Sequence, residues 1–213
     1  MKVATGHKGK TALKVTCHGQ AGHSALAPKF VNAIHFAADF VHRSRELQDQ
    51  LASGPYDDAY SVPYSTVHIG KISCGRALNI VPDSTQLEME FRHLAETPAQ
   101  DIQHEIEAVA KHVSGVFPST PPITVEVTNA YPGLNTNPSD KTVVWAHKMA
   151  GIFGTSKVTF GTEAGFFIEL GLNTVVIGPG DMASDGHKPD EGLDKIELSA
   201  CDAMMSNILS ALG

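Results

Sequence analysis

Four stretches of strict apolar–polar alternation, separated by two stretches of helical period, constrain this chain more than any other feature. In residues 11–18, Leu13, Val15 and Cys17 point one way while Lys14, Thr16 and His18 point the other, the mark of a half-buried strand. Pro28 then suits the first turn of a helix, with Phe30, Ile34, Ala37, Ala38 and Val41 as its apolar face, running to about Leu51. Residues 64–72 form a second strand around Val67 and Ile69. Residues 84–93 form a third, with Leu87, Met89 and Phe91 facing in and Gln86, Glu88, Glu90 and Arg92 facing out. Thr97-Pro98-Ala99-Gln100 has the spacing of a capping box, and the helix it opens carries Ile102, Ile106, Val109 and Val113. Ile123, Val125 and Val127 alternate with Thr124, Glu126 and Thr128 in a fourth strand.

The order is therefore β-α-β-β-α-β, the ferredoxin-like arrangement. One apolar and one polar face per strand fits an antiparallel sheet with both helices on one side and water or a partner on the other. The unit ends near Tyr131-Pro132-Gly133. Beyond it the pattern becomes α-β-α-β-α: a helix capped by Asn137-Pro138, a short strand 157–160, a helix 163–171, a strand 174–178, and a helix from about Asp190 to Leu212. This is the style of part of a larger α/β domain. Its two strands are expected to be buried on both faces, and they have no sequence-adjacent strands to pair with. The fold class is thus α/β, with one domain over residues 1–131 and a second segment over 132–213.

A chain of 213 residues, 42% hydrophobic and 18% charged, can bury a sizeable core. Its net charge of -7 argues against nucleic acid or an anionic membrane surface as partner. No apolar run approaches the roughly 18 residues of a membrane span. The start, MKVATGHKGK, lacks the apolar stretch of a signal peptide. Cys17, Cys74 and Cys201 form no metal or disulfide pattern and read as reduced thiols of a cytoplasmic protein, Cys17 and Cys201 as core filler. The scattered histidines His35, His42, His68, His93, His104 and His112 read as structural.

Five positions carry chemistry, each with a plainer alternative. His23, between small residues where a strand hands over to a helix, is either a donor to a developing oxyanion or a polar loop residue. Asn79, in the apolar loop Ala77-Leu78-Asn79-Ile80-Val81-Pro82, either meets a ligand or stabilises its own loop. Arg92 either clamps a carboxylate or pairs with Glu90 or Glu88. Glu163, after Gly161-Thr162 at a helix start, is either a ligand or a carboxylate favoured by the helix dipole. His187, in a loop rich in Gly, Asp and Ser, is either a metal ligand or a loop histidine.

In their order these segments resemble one family. Gly22-His23-Ser24-Ala25, Asn79-Ile80-Val81-Pro82, Phe91-Arg92, Gly161-Thr162-Glu163-Ala164 and Gly186-His187-Lys188-Pro189-Asp190-Glu191 together look like the zinc-dependent amidohydrolases and exopeptidases. That family includes acetylornithine deacetylase, succinyl-diaminopimelate desuccinylase and the aminoacylases. Gly6-His7-Lys8-Gly9, Phe160-Gly161-Thr162-Glu163-Ala164-Gly165 and His187-Lys188-Pro189-Asp190-Glu191 most resemble the acetylornithine deacetylase form.

The resemblance implies a ferredoxin-like lid that forms a homodimer, inserted in an α/β catalytic domain with two zinc ions per subunit. It implies that His23 stabilises the oxyanion in the partner's active site, and that Asn79 and Arg92 bind polar groups of a small N-acyl amino acid. Gly161, Thr162 and Glu163 would line the substrate pocket, and His187 would ligate zinc. The implied reaction is hydrolysis of N-acetyl-L-ornithine in arginine biosynthesis; the alternatives are a desuccinylase-type hydrolase or a non-catalytic dimerisation module. The family's H-x-D and Glu-Glu segments have no counterpart here, which implies a lid plus the C-terminal part of the catalytic domain, inactive alone and binding zinc weakly at best. In a split-βαβ unit the end of strand one and the connection of strands two and three are expected at opposite ends. His23 and Asn79 would then meet only if the 74–83 loop reaches far or two subunits contribute.

Overall fold

The alternating segments pair into the expected sheet. The computed structural model describes residues 1–180, 182, 186 and 188–213. The strands are β1 (Lys2–His7), β2 (Gly9–His18), β3 (Gly22–His23), β4 (Thr66–Cys74), β5 (Ile80–Val81), β6 (Ser84–His93), β7 (Thr124–Tyr131), β8 (Leu134–Asn135), β9 (Thr155–Val158) and β10 (Val176–Gly178). The helices are α1 (Ala33–Leu51), α2 (Ala99–Val116), α3 (Lys141–Ala150), α4 (Ala164–Glu169) and α5 (Lys195–Leu212). They form two compact units. The first comprises Gly9–Asp58 and Val62–Tyr131; the second comprises Met1–Lys8, Ala59–Ser61 and Pro132–Gly213.

In the first unit the sheet order is β4-β6-β2-β7, antiparallel throughout, which is the ferredoxin-like order. Leu13, Val15 and Cys17 of β2 and Leu87, Met89 and Phe91 of β6 are buried. They pack with Phe36 and Phe40 of α1 and Ile102, Ile106 and Val113 of α2 in one core. Each large side chain buried in this way contributes on the order of 1.5–3 kcal/mol.

The helix entries differ from expectation. Pro28 lies in a 3-10 turn, Ser24–Lys29, and α1 begins later, where Asn32 Oδ1 accepts the Ile34 N–H at 2.9 Å. The buried face of α1 is accordingly Ala33, Phe36, Ala37, Phe40, Ser44 and Leu47, and Ile34 is exposed. At α2 there is no capping box: Pro98 is the N-cap and no side chain caps it. The Thr97 N–H instead closes a turn on the Leu94 carbonyl at 3.0 Å, and the buried His93 places Nδ1 2.9 Å from the Thr97 carbonyl.

The second unit is built on a strand that the alternation argument overlooks. Residues 1–8 belong here and not with residues 9–131. β1 is the hub of the small sheet. One edge pairs antiparallel with β10 (Val3↔Ile177) and β8 (His7↔Leu134), and the other pairs parallel with β9 (Val3↔Thr155, His7↔Val158). β9 and β10 therefore do have a partner, supplied from far away in sequence. They are half-buried, not covered on both faces. Val3, Val143 and Ala146 form the buried centre, with Ile152, Val175 and Ile177 packed against it. α3 starts after Asp140, whose Oδ1 accepts the Thr142 N–H at 2.8 Å, and stops at Gly151 in the left-handed conformation (φ 65°). Among the described residues no helix is long and apolar enough to cross a membrane.

Two outcomes follow. Val3→Asp buries an unpaired carboxylate and should destabilise the second unit by about 3 kcal/mol or more. Amide exchange should then rise in β1, β9 and β10 while the core of the first unit stays protected. Burial pushes the Cys17 thiol up to about 12, whereas Cys74 is exposed. Brief alkylation of the native chain should label Cys74 well before Cys17, as read by peptide mass spectrometry.

Candidate functional site

The loop after β2 and the loop before β6 meet at one end of the first unit's sheet. β3 and β5 pair antiparallel, with Gly22 opposite Val81 and His23 opposite Ile80. The Ser24 N–H donates to the Asn79 carbonyl at 3.0 Å. His23 and Asn79 are thus neighbours, contrary to the topological expectation. The crossover α1 returns the chain so that β4 runs parallel to β2, and both strands finish at the same end. Gly22 lets the Phe30 ring pack closely on this loop: a Cβ there would sit 2.2 Å from the ring, which would have to move aside.

His23 is exposed, and its Nδ1 accepts the Ala25 N–H at 3.1 Å. An acceptor at Nδ1 leaves the proton of the neutral ring on Nε2, which faces away from the cap as a donor. The tip around it is apolar: Leu26 and Ile80 are exposed, and Leu78 is fully so. A hydrogen-bond donor in an apolar surround is strengthened once water is excluded.

Arg92 is not part of this tip. Ser84 and Arg92 stand near opposite ends of the ten-residue β6, roughly 25 Å apart at about 3.3 Å per residue. Arg92 Nε donates to Glu90 Oε1 at 2.9 Å, and an Nη donates to the Tyr131 hydroxyl at 2.7 Å. Lys10 Nζ lies 3.1 Å from the other Glu90 oxygen. Burial pushes the Glu90 carboxyl up, but hydrogen bonds from Arg92 and Lys10 outweigh it and hold the carboxyl below the usual glutamate range. The pairing with Glu90 is therefore realised.

In the second unit, Gly161, Thr162 and Glu163 form the loop that opens α4. Glu163 is exposed and makes no capping bond with its side chain. Gly165 lets this turn lie against another strand end: a Cβ there would sit 2.4 Å from the Pro132 carbonyl oxygen. Thr162 Oγ1 accepts the Ala164 N–H at 3.1 Å and lies 3.0 Å from Nε2 of His7. His7, wholly buried at the end of β1, has Nδ1 3.0 Å from the Lys8 carbonyl. Burial lowers its pKa, against the smaller opposing effect of that backbone bond. Close by, the ammonium groups of Lys8 and Lys157 lie 5.6 and 5.3 Å from the ring centroid of the buried Tyr60.

A cleft of about 670 Å³ in this unit is lined by Lys2, Val158, Phe160, Val176, Pro179 and Leu193, among others, and not by Gly161, Thr162 or Glu163. His187 lies outside the described residues. Among the described residues no group of three or more His, Cys, Asp or Glu side chains could hold a metal ion. The contacts of His7 with Thr162 and of Arg92 with Tyr131 span 155 and 39 positions and leave no local signal in the sequence.

Residues 5–118, more than half of the chain, match the model of the peptidase dimerisation domain. The chain belongs to that family of peptidases and amidohydrolases. Its sequence is similar to the acetylornithine deacetylase of Myxococcus xanthus, 27% identical over 204 residues (96% of this chain, 53% of that protein). It is 32% identical over 189 residues to that of Salmonella arizonae (88% of this chain, 48% of that protein). Its fold is similar to the crystal structure of aminopeptidase PepT from Bacillus cereus, with a TM-score of 0.71 at 22% identity (97% of this chain, 52% of that one). The chain spans about half the length of the curated relatives it matches.

His7 predicts a pH dependence. Its folded pKa lies below the ordinary histidine value, so unfolding takes up a proton, and stability falls as pH drops below about 6.5 and is fully present above it. Urea midpoints of the second unit should fall between about pH 7 and 5.5, and His7→Phe should flatten that slope.

Proposed function

We propose that this chain supplies the lid and one wall of the substrate pocket in a hydrolase that releases acetate from N-acetyl-L-ornithine. The observation that carries this reading is the β3–β5 pairing, which joins His23 to Asn79 at an exposed tip of a peptidase dimerisation domain. The tip and Arg92 occupy opposite ends of one sheet, too far apart to touch one amino-acid-sized molecule. Two copies of the chain resolve this. The tip of one protomer enters the pocket of its partner, while Arg92 serves its own side.

In that arrangement the substrate amide carbonyl lies against His23. As water adds to the carbonyl carbon, negative charge grows on the oxygen and Nε2–H donates to it; the apolar tip keeps competing water away. The Asn79 amide orients the acyl group. The remaining N–H groups of Arg92 meet the substrate carboxylate. Glu163 offers its exposed carboxylate to the side-chain ammonium of ornithine. The zinc that the family resemblance implies does not fit the described residues as a set, so the role of this chain is confined to binding, orienting and polarising. His187, with ligands beyond the described residues, is proposed for the metal, and a cytoplasmic location fits the substrate.

Alone, the chain should release no ornithine from N-acetyl-L-ornithine, even with saturating zinc; sustained turnover by the purified chain would overturn this part of the reading. Co-expressed with the N-terminal half of the Salmonella relative, it should regain turnover, which His23→Ala should lower by about 10²–10³-fold in kcat. Glu163→Gln should weaken the cationic substrate relative to a neutral N-acetyl amino acid by about tenfold. Light scattering should show a dimer. The self-sufficient core of the first unit favours one second reading, a dimerisation module without activity. Dimerisation with no turnover in any pairing would favour it, and preference for N-succinyl substrates would favour a desuccinylase.

A further inference from the structure

The structure assigns to His7 a role that the sequence reading leaves open: we propose that it is the positioning residue for the Gly161–Glu163 loop, acting through the Thr162 hydroxyl. The inference rests on the proposal that this loop lines the substrate pocket. His7 ends β1 opposite Leu134 of β8 and Val158 of β9, with no exposed surface. A buried imidazole could satisfy itself on backbone alone, but here the ring spans two segments. Nδ1 lies 3.0 Å from the Lys8 carbonyl, which can only accept, so Nδ1 carries the proton. Nε2 is then an acceptor, 3.0 Å from Thr162 Oγ1.

The threonine completes the polarity. Its Oγ1 accepts the Ala164 N–H at 3.1 Å, and its single hydroxyl proton is directed to His7 Nε2. The relay therefore runs one way, from the Ala164 N–H through the Thr162 hydroxyl and the His7 ring to the Lys8 carbonyl. Thr162 is β-branched and has few rotamers, so holding its hydroxyl at both ends holds the backbone of the loop. The Glu163 carbonyl accepts the Phe166 N–H at 3.0 Å, within its own helix start, and its side chain makes no capping bond, so among the described residues the Thr162 hydroxyl is what ties this loop to β1. The direction in which the Glu163 carboxylate leaves the loop thus depends on His7, a residue 155 positions from Thr162 in sequence. His7 touches no substrate in this scheme; it acts through Thr162.

The test uses the 213-residue chain with neither zinc nor substrate, so it is independent of whether deacetylation is ever observed. Long-range proton–nitrogen correlation on the ¹⁵N-labelled chain should find His7 as the neutral Nδ1–H tautomer. Thr162→Val keeps the shape and removes the hydroxyl. It should speed Ala164 amide exchange by about fivefold to tenfold and shift the His7 Nε2 resonance, whereas Thr162→Ser should restore both. His7→Phe should speed Ala164 exchange to the same degree without touching Ala164, and His7→Gln, with an oxygen near the position of Nε2, should recover part of the protection. An Nε2–H tautomer, or Ala164 exchange unchanged in Thr162→Val, would overturn the assignment. If His7→Phe does not fold, the Thr162→Val and Thr162→Ser pair, read on the wild-type ring, decides it. Loss of deacetylation in every reconstituted pairing, with these signatures intact, would remove the pocket reading and leave the relay standing.

Discussion

Residues 2–18 are extended almost without a break, yet they serve two different sheets, and the change of partner at Lys8 is the constraint on which the rest depends. Backbone N–H and carbonyl groups removed from water must be paired. β1 satisfies this with β8, β9 and β10, and β2 does so with β6 and β7. Each strand is inner in its own sheet, with both edges bonded. Among the described residues, the two short strands β9 and β10 have no ladder but the one with β1. Without β2, the ferredoxin-like sheet splits into two edges. Both units are thus laid down by one continuous segment, and the site residues inherit their positions from it.

How far this was legible depended on side-chain size. In β2 and β6 large apolar residues alternate with charged ones, so faces and sheet order could be read directly. β1 is Lys-Val-Ala-Thr-Gly-His, buried at every position from Val3 to His7, so both of its faces are covered by mostly small residues. Alternation in bulk, the usual strand signal, is absent there. The buried face of α1 differs from the periodic expectation for a related reason. Phe30 and Ile34 fit a helical period, but the helix starts only after Asn32, and the heavier pair Phe36 and Phe40 sets its rotation. Capping spacing at Thr97 was outcompeted by a turn that His93 and Leu94 stabilise.

The geometry of the candidate site was not legible in the sequence. His23 and Asn79 meet because the crossover helix returns the chain parallel, so that β2 and β4 finish at the same end of the sheet. Arg92 was read with its local alternative, and Glu90 is indeed its partner, because two outward residues on one strand are fixed neighbours. The relay of His7 to Thr162 had no local signal at all. Of its three hydrogen bonds only that between Thr162 and His7 crosses the second unit in sequence, the other two being local, and a buried histidine beside a glycine looks the same whether it supports a loop or fills a gap. Histidine tautomers follow from partners, and the partners exist only once the sheet is formed.

The two units differ in how much they have to hold themselves together. The first packs two helices on one sheet face over a core of aromatic and branched side chains. In the second, the 18-residue α5 buries only Met204 among its residues, while Ile196, Leu198, Met205, Leu209 and Leu212 are exposed. α4 likewise leaves Phe166 and Phe167 exposed, with Leu170 exposed just past its end. At roughly 25 cal/mol per Å² of apolar surface, such exposed side chains contribute little to holding these helices in place. Specific hydrogen bonds then matter more there than in the first unit. The loop of Gly161, Thr162 and Glu163 lies on the less covered unit, where segments open most readily. A buried anchor such as His7 is what an exposed loop on such a unit requires, whereas the ring of His23, on the well-packed unit, is set by the Ala25 N–H.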